Sequence, residues 1–339
     1  MSGVRVVNPG LFTSVQDRGR IASRDKGVPT SGVLDADALC LANAVVGNDR
    51  GAAVLECLGM GPELEAVDGP VRVAFIGEAP DAAVLRSDGG RQALAAGQSA
   101  TLIPGDRLAV GALRTFCLSI AVEGGIDVPL VLGSRATYAR GGFGGYSGRT
   151  LRQGDVVPVG ASATARAERR LTMDWRRPDD PIRVVLGPQD DAFTPDGIAT
   201  FVGQAYTVTN AADRMGFRFE GPVIAHVTGA DIVSDGAVDG SIQVPGAGNP
   251  IVLLADGQSV GGYTKIATVI SADLPRLVRR RPGDAVRFAV VSQSEGETIA
   301  RDHDAWLKAV IASIEPFVEG LDVQALYDRN LISGVIGED

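Results

Sequence analysis

Apolar residues along this chain come in short runs of four to seven, many rich in Val and Ile and stopped by Gly, Pro, Asn or Asp. That pattern predicts strands joined by tight turns. Val4–Val7 opens the series before Asn8-Pro9-Gly10, and a dense succession follows from Val54 to Val122. The series resumes at Ile182, continues through Tyr206–Thr209, Ile251–Ala255 and Ile266–Ile270, and ends near Val291. Two stretches depart from it. In Gly32–Asn48, residues Leu34, Ala38, Leu41, Ala42 and Val45 recur at three- and four-residue spacing, which predicts a helix with Asp35 as N-cap and Gly47-Asn48 as its stop. After Val291, residues Ile299, Trp306, Val310, Ile311 and Ile314 share one helical face, and a second short helix is expected over Val323–Arg329.

One small pattern recurs three times. Ile103–Gly111, Leu151–Gly160 and Arg280–Val290 each place Gly-Asp ahead of an alternating strand, so Asp106, Asp155 and Asp284 are read as turn residues. A looser echo links the run from Val122 and its loop Gly141–Arg149 to the run from Val244 and its loop Gly261–Lys265. The repetition predicts duplicated β-architecture. The expected fold is mainly β, with two tandem barrel-like domains over 1–165 and 181–292 and a helical tail over 293–339. The charged segment Ala161–Asp180, ending in Arg-Arg-Pro-Asp-Asp-Pro, is the expected linker.

Composition narrows the function classes. Glycine supplies 44 of 339 residues, nearly twice the usual share, which suits strands and turns. Net charge is −9, and Arg276–Arg281 is the one basic run, so nucleic acid is not expected as a partner. Cys40, Cys57 and Cys117 are odd in number and lie among apolar residues, as buried free thiols of a reducing compartment do. His226 and His303 are the only histidines. His226 reads as structural within a strand-like run, and no metal site is visible. Neither a signal peptide nor a run of about 20 apolar residues is seen, so a cytoplasmic protein is expected.

Candidate chemistry concentrates in Ser241–Ile270. Between two apolar runs lies a polar loop carrying Gly257, Gly261 and Gly262, with Asp256 where the first run ends and Lys265 where the second begins. Gln243, Gln258 and Tyr263 add two amides and a phenol. Such a loop lets backbone approach a ligand closely, and equally suits an ordinary turn. If the flanking strands were antiparallel neighbours, Lys265 would return to within a few ångströms of Asp256, at strand spacing of about 4.8 Å. Arg214, beside a glycine turn, could clamp a carboxylate or pair with Asp213. Gln16, Asp17 and Arg20 crowd around Gly19. The loop Gly141–Arg149 matches neither a P-loop nor a dinucleotide fingerprint.

Taken together, VQDRGR, GVLDADALCLAN with VVGN, Glu56 in LECLGMGPELE, GGIDVPLVLGSR, ADRMG, GSIQVPGAGNPIVLLADGQSVGGY and RPGDAVRF resemble the allophanate hydrolase subunit 2 family, also called biotin-dependent carboxyltransferase-like or Kip antagonist. The resemblance spans about Val4 to Val291. It implies cyclophilin-like β-barrel architecture and a separately encoded partner of the allophanate hydrolase subunit 1 type, with a lactam-utilisation-type third subunit in some settings. The functional positions it carries over are Gln16, Asp17, Arg20, Arg214, Gln243, Asp256, Gln258, Tyr263 and Lys265. The family's second threonine and its proline are replaced by Val260 and Thr264.

The resemblance implies three roles. One is that of the C subunit in an ATP-dependent 5-oxoprolinase complex, opening 5-oxo-L-proline to L-glutamate. There Arg214 or Lys265 would hold the substrate carboxylate, and the backbone N–H groups of Gly261 and Gly262 would face the oxyanion. A second is carboxyl transfer from carboxybiotin to urea or a similar amide, with Asp256 as base. No Met-Lys-Met biotinyl site and no ATP-grasp region is evident, so ATP and biotin handling would belong to other chains. The third is non-catalytic: binding of a kinase inhibitor of the partner fold. A chain of this kind is expected to turn over only in a complex.

Overall fold

A computed structural model describes residues 3–161, 167–178 and 181–317. Most elements are strands, as the short apolar runs predict. In the first half, two sheets stack over one core. One has six strands in the order Val156–Pro158, Gly3–Asn8, Glu63–Val67, Arg107–Ala109, Ala83–Leu85 and Arg91–Ala93. The other has five: Phe12–Gln16, Val54–Met60, Ala112–Val122, Val71–Ile76 and Ser99–Leu102. Alternating inward residues such as Val4, Val6, Leu64, Val73, Phe75 and Ile120 fill the space between them. Each fully buried side chain of this size contributes about 1.5–3 kcal/mol by leaving water.

The second half closes on itself. Seven strands form a barrel in the order Ile182–Leu186, Lys265–Val269, Ser241–Gln243, Ile251–Leu253, Gly216–Glu220, Ala205–Val208 and Ala285–Val290. Its interior holds Phe201, Tyr206, Phe217, Phe219 and Phe288 with Ile242, Val244, Val252 and Ile266. The same core cluster takes in Leu34, Leu58 and Cys117 from the first half, and the Phe116 and Phe217 rings meet edge-on at 4.8 Å. The halves therefore share apolar packing.

Four α-helices are described: α1 (Ala36–Val46), α2 (Pro195–Gly203), α3 (Leu274–Leu277) and α4 (Gln293–Ala312). Helix α1 forms where the spacing predicts. Asp35 accepts from the Ala38 N–H, Gly47 closes the helix at φ +85°, and Leu39, Leu41, Val45 and Val46 are buried. Helix α4 starts on a capping box between Ser292 and Glu295. Its Trp306, Leu307, Val310 and Ile311 pack with α1 and Trp175. The tail thus docks on its own chain, and Ile314–Phe317 pairs with Glu168–Leu171. The segment expected as a linker holds a paired strand in its described part. The helix expected over 323–329 lies outside the described residues.

The three Gly-Asp turns share one geometry. Gly105, Gly154 and Gly283 have φ near +90° (91°, 88° and 93°). Asp106, Asp155 and Asp284 accept from the backbone N–H three residues earlier, at Ile103, Arg152 and Arg281. None of the cysteines is in a disulfide; Cys57 and Cys117 are buried and Cys40 is half-buried. The run around His226 is irregular chain, not a strand. Its ring Nε2 lies 3.1 Å from both Val244 O and Thr264 Oγ1. Among the described residues no helix is long and apolar enough to cross a membrane.

Candidate active site

The stretch from Ser241 to Lys265 supplies two strands of the barrel, Ser241–Gln243 and Ile251–Leu253, and the ribbon strand Val260–Tyr263. Ile242 and Val244 point into the barrel core, so Gln243 between them faces outward. Gln243 stands opposite Ile251, and Ile251 stands opposite Arg218. Directly paired residues share a sheet face. Gln243, Ile251 and Arg218 therefore form one row across three strands, with Gln243 and Arg218 two strand spacings apart, about 10 Å between backbones.

Over this row lies a cleft of about 330 Å³, lined by Arg140, Asp213, Met215, Arg218, Gln243, Gln258 and Tyr263 among others. That volume is at the lower end of small-ligand pockets. A second, more apolar cleft of about 590 Å³ opens between the halves and is lined by Phe12, Leu58, Phe116, Arg140, Asp213, Arg214, Met215 and Asp256. Arg140, Asp213 and Met215 line both, so the two clefts adjoin along that wall.

Gln243 is 2% exposed, and its Nε2 has no hydrogen-bond partner among the described residues. Its Oε1 accepts from Gln258 Nε2 at 3.2 Å, which fixes the amide with its donor end free. Gly261 makes room for it: a Cβ there would lie 2.2 Å from Gln243 Nε2. The glycines expected as oxyanion donors belong to the strand Val260–Tyr263, which pairs with Asp231–Gly236 as a ribbon off the barrel. Tyr263 is 42% exposed at the rim.

The proximity expected of Asp256 and Lys265 is not found. Ser241–Gln243 lies between the strands that precede Asp256 and begin at Lys265, so those strands are not neighbours. Lys265 is buried instead, and its Nζ donates to Asp235 Oδ2 at 3.0 Å. Gln189 joins them, donating to Asp235 Oδ2 at 3.1 Å and accepting from the Lys265 N–H at 3.1 Å.

Asp256 pairs with Arg214. The Arg214 Nε donates to Asp256 Oδ2 at 2.8 Å and Nη2 to Oδ1 at 3.2 Å. Arg214 also donates from Nη1 to Glu56 Oε1 and from Nη2 to Gly32 O at 2.6 Å. Glu56 Oε2 accepts from the Leu34 N–H at 2.6 Å. Asp213, the alternative partner, instead accepts from the N–H groups of Met215 and Gly216 in its own turn. Burial pushes the Glu56 carboxyl up to about 7, against the pull of Arg214. Burial would lower the Arg214 pKa, but Glu56 and Asp256 together hold it above its usual value.

The Gln16–Arg20 motif braces the wall that carries Arg140. Gln16 Nε2 donates to Thr137 O at 3.2 Å. Asp17 accepts from Ser134 Oγ at 2.5 Å and the Arg135 N–H at 2.6 Å. Arg20 donates to Val131 O at 3.1 Å and to Ala136 O, with its guanidinium 5.0 Å from the Phe143 ring. Burial lowers the Arg20 pKa, opposed by Asp17 and Asp256. All three side chains thus bond to the 131–144 segment, while Gln16 Oε1 and Arg20 Nη1 are buried with no hydrogen-bond partner among the described residues.

Neither Arg140 nor Arg218, which line the cleft, stands out in the sequence, and Glu56 does so only within the family resemblance. The signal for Arg140 was slight: one arginine ahead of Gly141-Gly142. Arg218 sits at an outward position of an alternating strand, where a charge is routine.

The Carboxyltransferase domain family, subdomain A and B, matches residues 26–290. The chain belongs to this family. Among curated members, this carboxyltransferase-domain chain is 33% identical to the C subunit of 5-oxoprolinase from Escherichia coli K12, covering 90% of this chain and 96% of that protein. Among solved structures, it superposes on urea amidolyase of Kluyveromyces lactis with a TM-score of 0.80 at 28% identity, over 91% of this chain and 20% of that one. The urea carboxylase of Kluyveromyces lactis gives a TM-score of 0.80 at 27% identity, over 94% and 30%. This carboxyltransferase-domain chain thus spans a fifth to a third of those two larger enzymes.

Proposed function

We propose that this chain is the carboxyltransferase-type subunit of an ATP-dependent 5-oxoprolinase complex, opening 5-oxo-L-proline to L-glutamate with a separately encoded partner subunit. The observation that carries the reading is the buried, unpartnered Nε2 of Gln243 in a ligand-sized cleft. A buried amide donor without a partner costs about 1–3 kcal/mol, and a substrate carbonyl oxygen removes that cost. Ring opening adds water across the lactam C–N bond, leaving a carboxyl on carbon and a proton on nitrogen. Gln243 polarises the carbonyl, Gln258 orients Gln243, and Tyr263 closes the rim. Asp256 lines the adjoining cleft with both carboxylate oxygens held by Arg214, which fixes that wall of the site. Lys265 is a positioning residue that anchors Asp235 and Gln189. ATP is supplied through the complex. The near-complete coverage of a 5-oxoprolinase C subunit favours this reading.

Carboxyl transfer from carboxybiotin to urea is the second reading, favoured by the superposition on the urea enzymes. The same cleft would serve it, with biotin carried by another chain. Co-expression with the partner subunit separates the two. ATP-dependent glutamate release from 5-oxoproline supports the first. Biotin-dependent incorporation of bicarbonate into urea without glutamate release would replace it with the second.

A further inference from the structure

The two cations offered by the motifs for holding a substrate carboxylate are already engaged. Arg214 is bound to Glu56 and Asp256, and Lys265 to Asp235. Two guanidiniums that line the Gln243 cleft are not. Arg140 and Arg218 are exposed, and neither side chain forms a hydrogen bond or ion pair among the described residues.

Both side chains branch from ordered backbone. Arg140 sits in the turn closed by the Tyr138 N–H donating to Phe143 O at 2.9 Å and the Gly142 N–H donating to Ala139 O at 3.2 Å. The Tyr138 and Phe143 rings stack edge-on at 5.6 Å across it. Gln16, Asp17 and Arg20 brace this segment from behind. Arg218 stands in the row with Ile251 and Gln243, so its guanidinium and the free Gln243 amide address one cleft from the same sheet face.

We propose that Arg140 and Arg218 are the carboxylate-recognising residues of this site and select substrates that carry a carboxylate a few bonds from the reacting carbonyl. A planar guanidinium receives a carboxylate through two parallel N–H donors. Gln243 takes the carbonyl oxygen, so the ligand spans the row from amide to arginine. Asp213, also in the lining, repels a carboxylate placed at its own end of the cleft and thereby orients the ligand. The inference rests on the lactam reading for the identity of the carbonyl, not for the carboxylate preference.

The test uses the assembled complex and two probes, 5-oxo-L-proline and the neutral lactam 2-pyrrolidinone, each measured by calorimetric binding and by turnover. Wild type is expected to bind 5-oxoproline at least about ten-fold more tightly than 2-pyrrolidinone. Arg140→Gln and Arg218→Gln should each weaken 5-oxoproline binding about ten-fold and leave 2-pyrrolidinone unchanged, and Arg218→Lys should restore part of the preference. The proposal is overturned if wild type shows no preference, or if the glutamine variants weaken both lactams equally. Selective binding of 5-oxoproline without turnover of either lactam would refute the 5-oxoprolinase reading and leave the carboxylate assignment standing.

Discussion

Arg214 and Glu56 come from opposite halves of the chain and meet in its interior, where the guanidinium bridges Glu56 to Asp256 and to the backbone of Gly32. The contact ties the α1 entry turn, a first-half strand and the barrel to one side chain. Arg214→Met would strand two buried carboxylates, a loss of about 3–5 kcal/mol. Urea unfolding of the variant should show that drop. A loss under about 1 kcal/mol would mean the halves do not depend on this contact.

Glu56 also sets a pH dependence. Its carboxyl is pushed up from 4.5 to about 7 by burial. Between those values the folded chain holds a proton that the unfolded chain has released. Stability from this group is full below pH 4.5 and declines as pH rises through about 7. Glu56→Gln removes that titration, so its unfolding free energy should change less between pH 5 and pH 7 than that of wild type, about the window of the shift. Equal slopes in the two proteins would show that Glu56 does not titrate there.

Gly261 has a narrower role. Gly261→Ala places a methyl 2.2 Å from the present position of Gln243 Nε2. That atom is the end of a side chain able to swing away, so the fold should survive while the free amide leaves the cleft. Thermal midpoint should hold, and kcat/KM should fall about 100-fold, the scale of losing one well-placed donor. Unchanged turnover would remove Gln243 from the reaction.

Much of the fold was readable because it is local. Helix α1, its Asp35 cap and the three Gly-Asp turns depend on residues within a few positions of each other. The barrel strands at 251–253 and 265–269 were visible as apolar runs. Their arrangement was not, because the strand between them comes from Ser241–Gln243 and no local pattern encodes that insertion. The same long-range pairing moved Lys265 to Asp235 and Asp256 to Arg214. Gln243 and Gln258 were legible as amides of a glycine-rich loop, and the structure brings them together. Arg140 and Arg218 were not legible, since an exposed arginine in sequence carries no sign of what lies opposite it.

Lys265 separates function from stability. Its side chain is 1% exposed, whereas that of its partner Asp235 is 53% exposed, so Lys265→Met leaves a carboxylate that water can solvate. Unfolding free energy should shift by no more than about 1 kcal/mol. Turnover of the complex should fall at least about ten-fold, as Asp235 and Gln189 lose their anchor. Wild-type turnover in this variant would show that Lys265 has no part in positioning the site.

The most direct measurement is glutamate formation from 5-oxo-L-proline by the purified complex of this chain with its partner, with and without ATP, for wild type and Gln243→Leu. The expected result is ATP-dependent glutamate release by the wild-type complex, none by this chain alone, and a loss of about 100-fold in kcat/KM for Gln243→Leu at unchanged thermal midpoint. Full activity of the Gln243→Leu complex, or glutamate release by the partner without this chain, would contradict the account.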